Sequence, residues 1–291
     1  MIASLAFSIV AAGLVLLAGR KDAARDPRLT LFLIVLMVLV PVMAAFVPKV
    51  AVLPAVATDD FSCGKWLIGI WAVGFTIFLT RLALAAHGLG MWRKRSAKVG
   101  EIRGVEIREV SGLRGPVAAG VFQKVIFVPE TWSAWNEVDR EIVLCHELSH
   151  HRRRDPLSRL CAEIARAAMW WHPLAHWMAE RFNLQCEYAC DEAVVNEGTD
   201  AKTYASLLCG IAEKQSHSSL ALAMANPSSL QCRVARMLRP TPRLGALAFV
   251  TFAIIGTAIA CALSVIGAKI PAIGETEVQL RLTADPFPGE R

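Results

Sequence analysis

The stretch REIVLCHELSHHRRRD, residues 140–155, gathers histidine, glutamate and arginine side chains around a short apolar run. The residues before it predict a helix that begins at Asn136, a residue suited to capping free backbone amides, with carboxylates in its first turn. Pro156 disfavours helical geometry at the residue that precedes it, so this helix is predicted to end near Asp155.

Within this helix, His146 and His150 are four residues apart, so both imidazoles project from one face. Glu147 lies beside the first of them. Together they form the pattern H-E-x-x-H, in which two imidazoles hold a zinc ion and the glutamate acts as a base. A peptidase of this kind needs one more protein ligand and an open position for water.

A second segment, LAHWMAERFNLQCEYACDEAVVNEG, is predicted to form one helix that ends at Gly198. Glu187 and Asp191 lie four residues apart on one face of that helix. Glu187 is therefore our candidate for the third zinc ligand. Asp191 is the candidate for an outer carboxylate that accepts the free ring N–H of a ligating histidine. The alternative is that both carboxylates simply face solvent.

The remaining histidines compete poorly as ligands. His151 points about 100° away from its neighbour on the helix, and a proline separates His172 from His176 and breaks their regular spacing. We expect all three to be structural or interfacial, and Cys186 and Cys190 to be small buried thiols.

The composition indicates a membrane protein, because 55% of the residues are hydrophobic and the mean hydropathy is +0.44. Four runs with few or no charges can each supply about 20 helical residues, enough to cross the hydrocarbon core. The first lacks the preceding basic residues of a signal peptide, so we interpret it as a retained span. The predicted spans are residues 1–19, 29–48, 66–86 and 244–268.

Basic residues follow the first and third spans and precede the fourth, which places those loops in the cytoplasm. The prediction is a multi-pass protein of the cytoplasmic (inner) membrane with both termini on the extracytoplasmic side. Residues 1–87 hold three spans, 88–243 a cytoplasmic peptidase domain, 244–268 the fourth span and 269–291 a short external tail. These basic clusters also explain much of the net charge of +6, so we expect no direct nucleic-acid binding.

The predicted domain opens with strands. GVEIREV at 104–110 alternates apolar and polar residues, and VIFVP at 125–129 is typical of a buried strand. The glycine-containing stretch 111–124 between them predicts a turn and an irregular edge strand, which either holds an extended substrate or only completes a hairpin. The charged segment 155–173 favours a buried or membrane-surface helix.

The motifs HELSHHRRRD, WWHPL and EYACDEAVV together resemble the membrane antirepressor peptidases of the BlaR/MecR type. The resemblance implies a mainly α membrane protein with four spans and a cytoplasmic α+β, gluzincin-like metallopeptidase domain between the third and fourth. It implies Zn²⁺ bound by His146, His150 and Glu187, with Glu147 as general base and Asp191 as outer partner. Its implied substrate is a cytoplasmic DNA-binding repressor.

This sequence departs from the drug-sensing members of that family, which carry a penicillin-binding domain after the last span. Here about 23 residues follow position 268, without an S-x-x-K motif, and a folded domain needs more chain. We therefore expect sensing to use the short loops, the spans or a partner sensor protein.

Two alternatives stay open. The E-x-x-x-D half of the motif is shared with membrane metallopeptidases of the HtpX and CAAX prenyl protease type, which favours membrane-protein quality control or processing. The other alternative is a non-proteolytic signalling scaffold that zinc stabilises, for which a site with four protein ligands would be evidence.

Overall fold

A computed structural model describes residues 27–46, 50–51, 63–216, 227–238, 255, 258 and 266–267. The described helices are α1 (Pro27–Phe46), α2 (Cys63–Arg95), α3 (Glu137–Arg153), α4 (Asp155–Ala168), α5 (Pro173–Asn196), α6 (Ala201–Ser216) and α7 (Pro227–Met237). The strands are β1 (Val50–Ala51), β2 (Ala97–Ile102), β3 (Val105–Val110), β4 (Val117–Ala119), β5 (Val125–Pro129) and β6 (Ile266–Gly267), and a 3-10 turn covers Glu130–Ala134.

Four of these strands form one sheet in the order β2-β3-β5-β4. β3 pairs with β5 in parallel, while β2 and β4 are antiparallel to their neighbours. β3 and β5 match the two predicted strands, and β4 is the predicted short edge strand. β2 was not predicted. It is joined to β3 by Arg103 and Gly104, both with positive φ.

Helix α3 begins and ends as its sequence predicts. The Asn136 side chain accepts a hydrogen bond of 2.7 Å from the backbone N–H of Asp139. At the other end, Arg154 adopts a left-handed conformation with φ of 60°, and Pro156 lies in the first turn of α4. This sharp junction brings the start of α4 next to the last turn of α3.

Helix α5 is the predicted second helix of the site. It runs to Asn196, and Gly198 follows with φ of +104°, a conformation that glycine adopts without strain. α5 packs against α1, α3 and α4. Glu187 and Asp191 both contact His146 of α3, so the alternative in which these two carboxylates simply face solvent is wrong.

Two predicted spans fall on described helices. Residues 29–48 largely coincide with α1, and residues 66–86 lie within the 33-residue α2. Among the described residues, one helix, Ile68–Arg95, is long and apolar enough to cross a membrane. The predicted first and fourth spans, 1–19 and 244–268, lie almost wholly outside the described residues, and the predicted domain boundary at 88 falls inside α2.

The end of α2 is fixed to the sheet. Trp92 packs edge-on against Phe127 of β5 with ring centroids 5.9 Å apart. The Arg93 guanidinium contacts the Glu106 carboxylate at 3.1 Å, and Arg108 donates to the backbone carbonyl of Arg93 at 3.0 Å. The sheet and this end of α2 therefore form one packed unit beside α3.

A second apolar cluster holds the hairpin of α4 and α5 against α1. It combines Leu29, Leu33 and Met37 of α1 with Met178 and Phe182 of α5, all at most 1% exposed. One face of the charged helix 155–168 is thus packed against other helices, while Leu157 and Ile164 on it remain exposed.

Candidate metal centre

The two histidines of the H-E-x-x-H pattern meet Glu187 at the contact between α3 and α5. Nε2 of His146 lies 3.4 Å from Oε2 of Glu187, and Nε2 of His150 lies 3.6 Å from Oε1 of the same carboxylate. The two imidazole rings stand nearly perpendicular with centroids 4.9 Å apart. The three predicted ligands are therefore brought together, each with one donor atom facing the others.

These separations suit a tetrahedral metal ion. Zinc bonds to imidazole nitrogen and carboxylate oxygen at about 2.0–2.2 Å, which places neighbouring ligand atoms about 3.3–3.6 Å apart. Both histidines also have their second ring nitrogen engaged by other groups, as ligating histidines usually do. The donor set fits zinc.

The outer contact of His150 is local. Nδ1 of His150 donates to Oδ2 of Asp155 at 2.9 Å, and Asp155 is 3% exposed at the start of α4. The pKa of the Asp155 carboxyl is lowered, because the bond to His150 and the charge of Arg153 outweigh the effect of burial. The sequence contained this aspartate next to the motif, but we did not assign it a role.

The outer contact of His146 comes from distant helices. The Tyr204 hydroxyl of α6 lies 2.8 Å from Nδ1 of His146 and donates to Oδ1 of Asp191 at 2.8 Å. Asp191 itself is 3.3 Å from that nitrogen. Arg233 of α7 then donates two hydrogen bonds to Asp191, at 2.8 and 2.6 Å. Asp191 lies where it was predicted, while Tyr204 and Arg233 were missed.

Two arginines neutralise Glu187. Arg159 of α4 donates to Oε1 at 2.5 Å, and Arg233 approaches Oε2 at 3.2 Å. Burial by itself raises the pKa of the Glu187 carboxyl, but His146, Arg233 and His150 together hold it well below its usual range. Glu187 is therefore an ionised carboxylate, the form that binds metal.

His146 carries a shifted pKa for a related reason. Burial lowers the pKa of the imidazole, but hydrogen bonds to Asp191 and Glu187 outweigh it and raise the pKa to about 9. Without metal this histidine is protonated at neutral pH, so a metal ion that binds it must displace a proton.

Glu147 faces the sheet beside the two histidines and is 8% exposed. Its Oε2 accepts a hydrogen bond of 2.6 Å from the backbone N–H of Ala118 in edge strand β4. The predicted base is thereby oriented by the backbone of that strand.

A second set of potential ligands overlaps the first. Sγ of Cys190 lies 3.3 Å from Nδ1 of His150 and 3.6 Å from Oδ2 of Asp155. Burial raises the pKa of the Cys190 thiol far above neutral, and only the thiolate binds metal well. Because His150 Nδ1 already donates to Asp155, this set supports the histidine and is a poor metal site.

The three histidines expected to be structural or interfacial are not among the donor atoms that face one another at the candidate centre. Nε2 of His151 contacts the backbone carbonyl of Val125 at 3.0 Å, and His176 contacts that of Trp170 at 2.8 Å. His172 is buried at the start of α5. Tyr188 of α5 packs beneath the Arg236 guanidinium, which lies 4.4 Å from the ring centroid.

Comparison with known proteins identifies the family. The model of the BlaR1 peptidase M56 family matches residues 53–237. The regulatory protein BlaR1 of Bacillus licheniformis is 28% identical over 83 residues, which is 28% of this chain and 14% of that protein. The match thus spans a small part of the curated relative. Because the family model covers more than half of the 291 residues, the chain belongs to the BlaR1 peptidase M56 family.

Proposed function

We propose that this protein is an integral membrane zinc endopeptidase that cleaves a cytoplasmic protein, a DNA-binding transcriptional repressor, in response to a signal. The observation that carries the proposal is the meeting of His146, His150 and Glu187 within ligand distance, with the buried Glu147 beside them. Membership of a peptidase family supports the same chemistry.

Zinc held by His146, His150 and Glu187 would supply a Lewis acid that polarises the scissile carbonyl. The proton transfers fall to Glu147. Its Oε2 accepts a hydrogen bond from the backbone N–H of Ala118. The other oxygen, Oε1, therefore takes the proton from the attacking water and later returns it to the leaving amine. The bond to Ala118 keeps the carboxylate in one orientation through both transfers.

The substrate would lie along β4. In the register of β4 against β5, Ala118 is opposite Ile126, and its N–H points away from β5 towards Glu147. The outer edge of β4 is therefore directed at the base. Because Glu147 takes the N–H of Ala118, an extended peptide would pair with this edge through the outward carbonyl of Ala118, and it would pass the candidate metal centre.

The membrane location rests on α2, whose segment Ile68–Arg95 is long and apolar enough to span a bilayer. We place the sheet and the candidate centre on the cytoplasmic side, because basic residues end α2. The regulatory role rests on the partial similarity to a protein named as regulatory. A partner sensor protein would then receive the external signal.

The test is a comparison of protein N-termini in cells that carry wild type, Glu147→Gln or Glu141→Gln. Glu141 is exposed on the same helix and serves as the matched control. We expect new termini within a DNA-binding repressor in wild type and in Glu141→Gln, and their loss in Glu147→Gln.

Other outcomes would contradict the proposal in distinct ways. Termini that depend on Glu147 but lie in precursor or damaged membrane proteins would replace the repressor with a quality-control substrate. Identical termini in all three strains under several envelope stresses would argue for a non-proteolytic scaffold.

A further inference from the structure

The turn between α4 and α5 contacts α2 far from the sheet. Nε1 of Trp71 donates to the carbonyl of Ala168 at 2.9 Å, and Nε1 of Trp170 donates to the carbonyl of Trp71 at 3.2 Å. Gly74 provides the space for this contact, because a Cβ there would lie 2.2 Å from Cε2 of Trp170. These contacts fix the turn against α2 at the position of Trp71 and Gly74.

That level lies deep in the apolar part of α2. The predicted span 66–86 ends on the cytoplasmic side at residue 86. A helix rises 1.5 Å per residue, so Trp71 lies about 22 Å from that end, towards the opposite side of the membrane. A hydrocarbon core is about 30 Å thick. If α2 spans the membrane, the turn lies beyond the midplane, although residues 88–243 were all predicted to be cytoplasmic.

The sequence of the turn suits that depth. Residues 167–179, AAMWWHPLAHWMA, contain no charged side chain and include three tryptophans. Trp171 is 43% exposed at the tip, and Ile164 is 44% exposed on the preceding helix. Isolated apolar side chains on a surface are ordinary, but these lie on the hairpin that contacts α2, whose own apolar side chains are largely exposed.

Four backbone groups of the turn have hydrogen-bond partners within the protein. The carbonyl of Ala168 is taken by Trp71, and the carbonyl of Trp170 accepts from Nε2 of His176. The N–H groups of Met169 and His172 donate to carbonyls within the hairpin. Non-helical backbone at membrane depth requires such internal partners, because lipid supplies none.

The charged residues of the hairpin are consistent with insertion. Arg166 contacts Glu163 one turn away, so the two charges nearest the tip on α4 form a pair. On α5, Glu180 follows His176, which packs on Phe78 of α2. Glu180 is therefore about one helical turn further from the tip than His176.

We propose that the α4–α5 hairpin is a re-entrant element whose tip, residues 168–176, is inserted in the lipid bilayer beside α2. The candidate metal centre, carried by the other end of α5, would thus be fixed at the membrane surface. This inference rests on the membrane location in the proposed function.

The test places a diazirine amino acid, which forms adducts with whatever surrounds it, at single positions of the full-length protein in native membranes. The positions are Trp171, with Ile164 as a second site in the hairpin, Leu84 of α2 and Val138 of α3. Leu84 and Val138 are 65% and 62% exposed. We expect lipid adducts after illumination at Trp171, Ile164 and Leu84, and water-derived products at Val138.

Lipid adducts at Leu84 together with water-derived products or protein crosslinks at Trp171 and Ile164 would overturn the re-entrant hairpin and leave the membrane location intact. Water-derived products at Leu84 would contradict the membrane location of α2 itself, and the inference with it. Comparing the positions therefore separates the two failures.

Discussion

The two histidines of the candidate centre are held in different ways. His150 is bonded to Asp155, five residues later in the chain, across the sharp junction between α3 and α4. His146 is linked by hydrogen bonds to Tyr204, from Tyr204 to Asp191 and from Asp191 to Arg233. These three residues belong to three other helices. One support is built locally, and the other forms only when α5, α6 and α7 have assembled. The geometry of one site therefore depends on both local sequence and the complete tertiary structure.

The largest expected effect on stability follows from replacing Arg233, the cation that contacts Asp191 and Glu187. Arg233→Met leaves the carboxylates of Glu187 and Asp191 buried without that partner. Breaking a buried ion pair from one side costs about 3–5 kcal/mol. We expect the free energy of unfolding of the metal-free protein in detergent to fall by that order. Added zinc should recover part of the loss, because it supplies positive charge beside Glu187.

The matched control is Arg152→Met. Arg152 is 58% exposed on its side chain and contacts Glu197 at 3.1 Å. An exposed pair of this kind contributes about 0–1 kcal/mol. Equal losses for the two variants would mean that the Arg233 contacts do not stabilise the site.

A direct comparison of the two outer carboxylates comes next. Outer partners of ligating histidines typically change metal affinity about 10–100-fold. We expect both Asp155→Asn and Asp191→Asn to weaken zinc binding to that degree in a chelator competition. Asp191→Asn should also lower the thermal midpoint, because it disrupts the bidentate contact with Arg233. A larger loss of stability in Asp155→Asn would reverse the assignment of local and distant supports.

The smallest effect is expected at the Tyr204 hydroxyl, which lies between His146 and Asp191. Tyr204→Phe removes one buried hydrogen-bonding group, a change of about 0.5–1.5 kcal/mol. Asp191 keeps its bonds to Arg233, so we expect less than a tenfold loss of zinc affinity. A loss as large as that of Asp191→Asn would show that the hydroxyl, rather than the carboxylate, supports His146.

Much of the site could be predicted because its signals are local. The cap at Asn136, the four-residue spacing of the histidines and the glycine after α5 each act within one or two turns. The spacing of Glu187 and Asp191 placed both on one face, and the structure brings that face to the histidines.

The rest depends on packing that no spacing encodes. Tyr204 and Arg233 lie on helices with no regular relation to the motif, so their roles appear only once the helices are assembled. Strand β2 was missed because a polar segment after α2 gains its pairing from β3. Asp155 was within reach of sequence reasoning, since a carboxylate just beyond the second histidine can meet its ring across a tight junction.

The most direct test of the account is the hydrolysis rate and the zinc content of purified wild type and Glu147→Gln, measured in the same samples. The substrate is the protein identified from the cellular N-termini, and Glu141→Gln is the control. We predict bound zinc in all three proteins and a rate reduced by about 10²–10⁴-fold in Glu147→Gln alone, the usual contribution of a general base. Hydrolysis at the wild-type rate by zinc-loaded Glu147→Gln would contradict the proposed role of this residue.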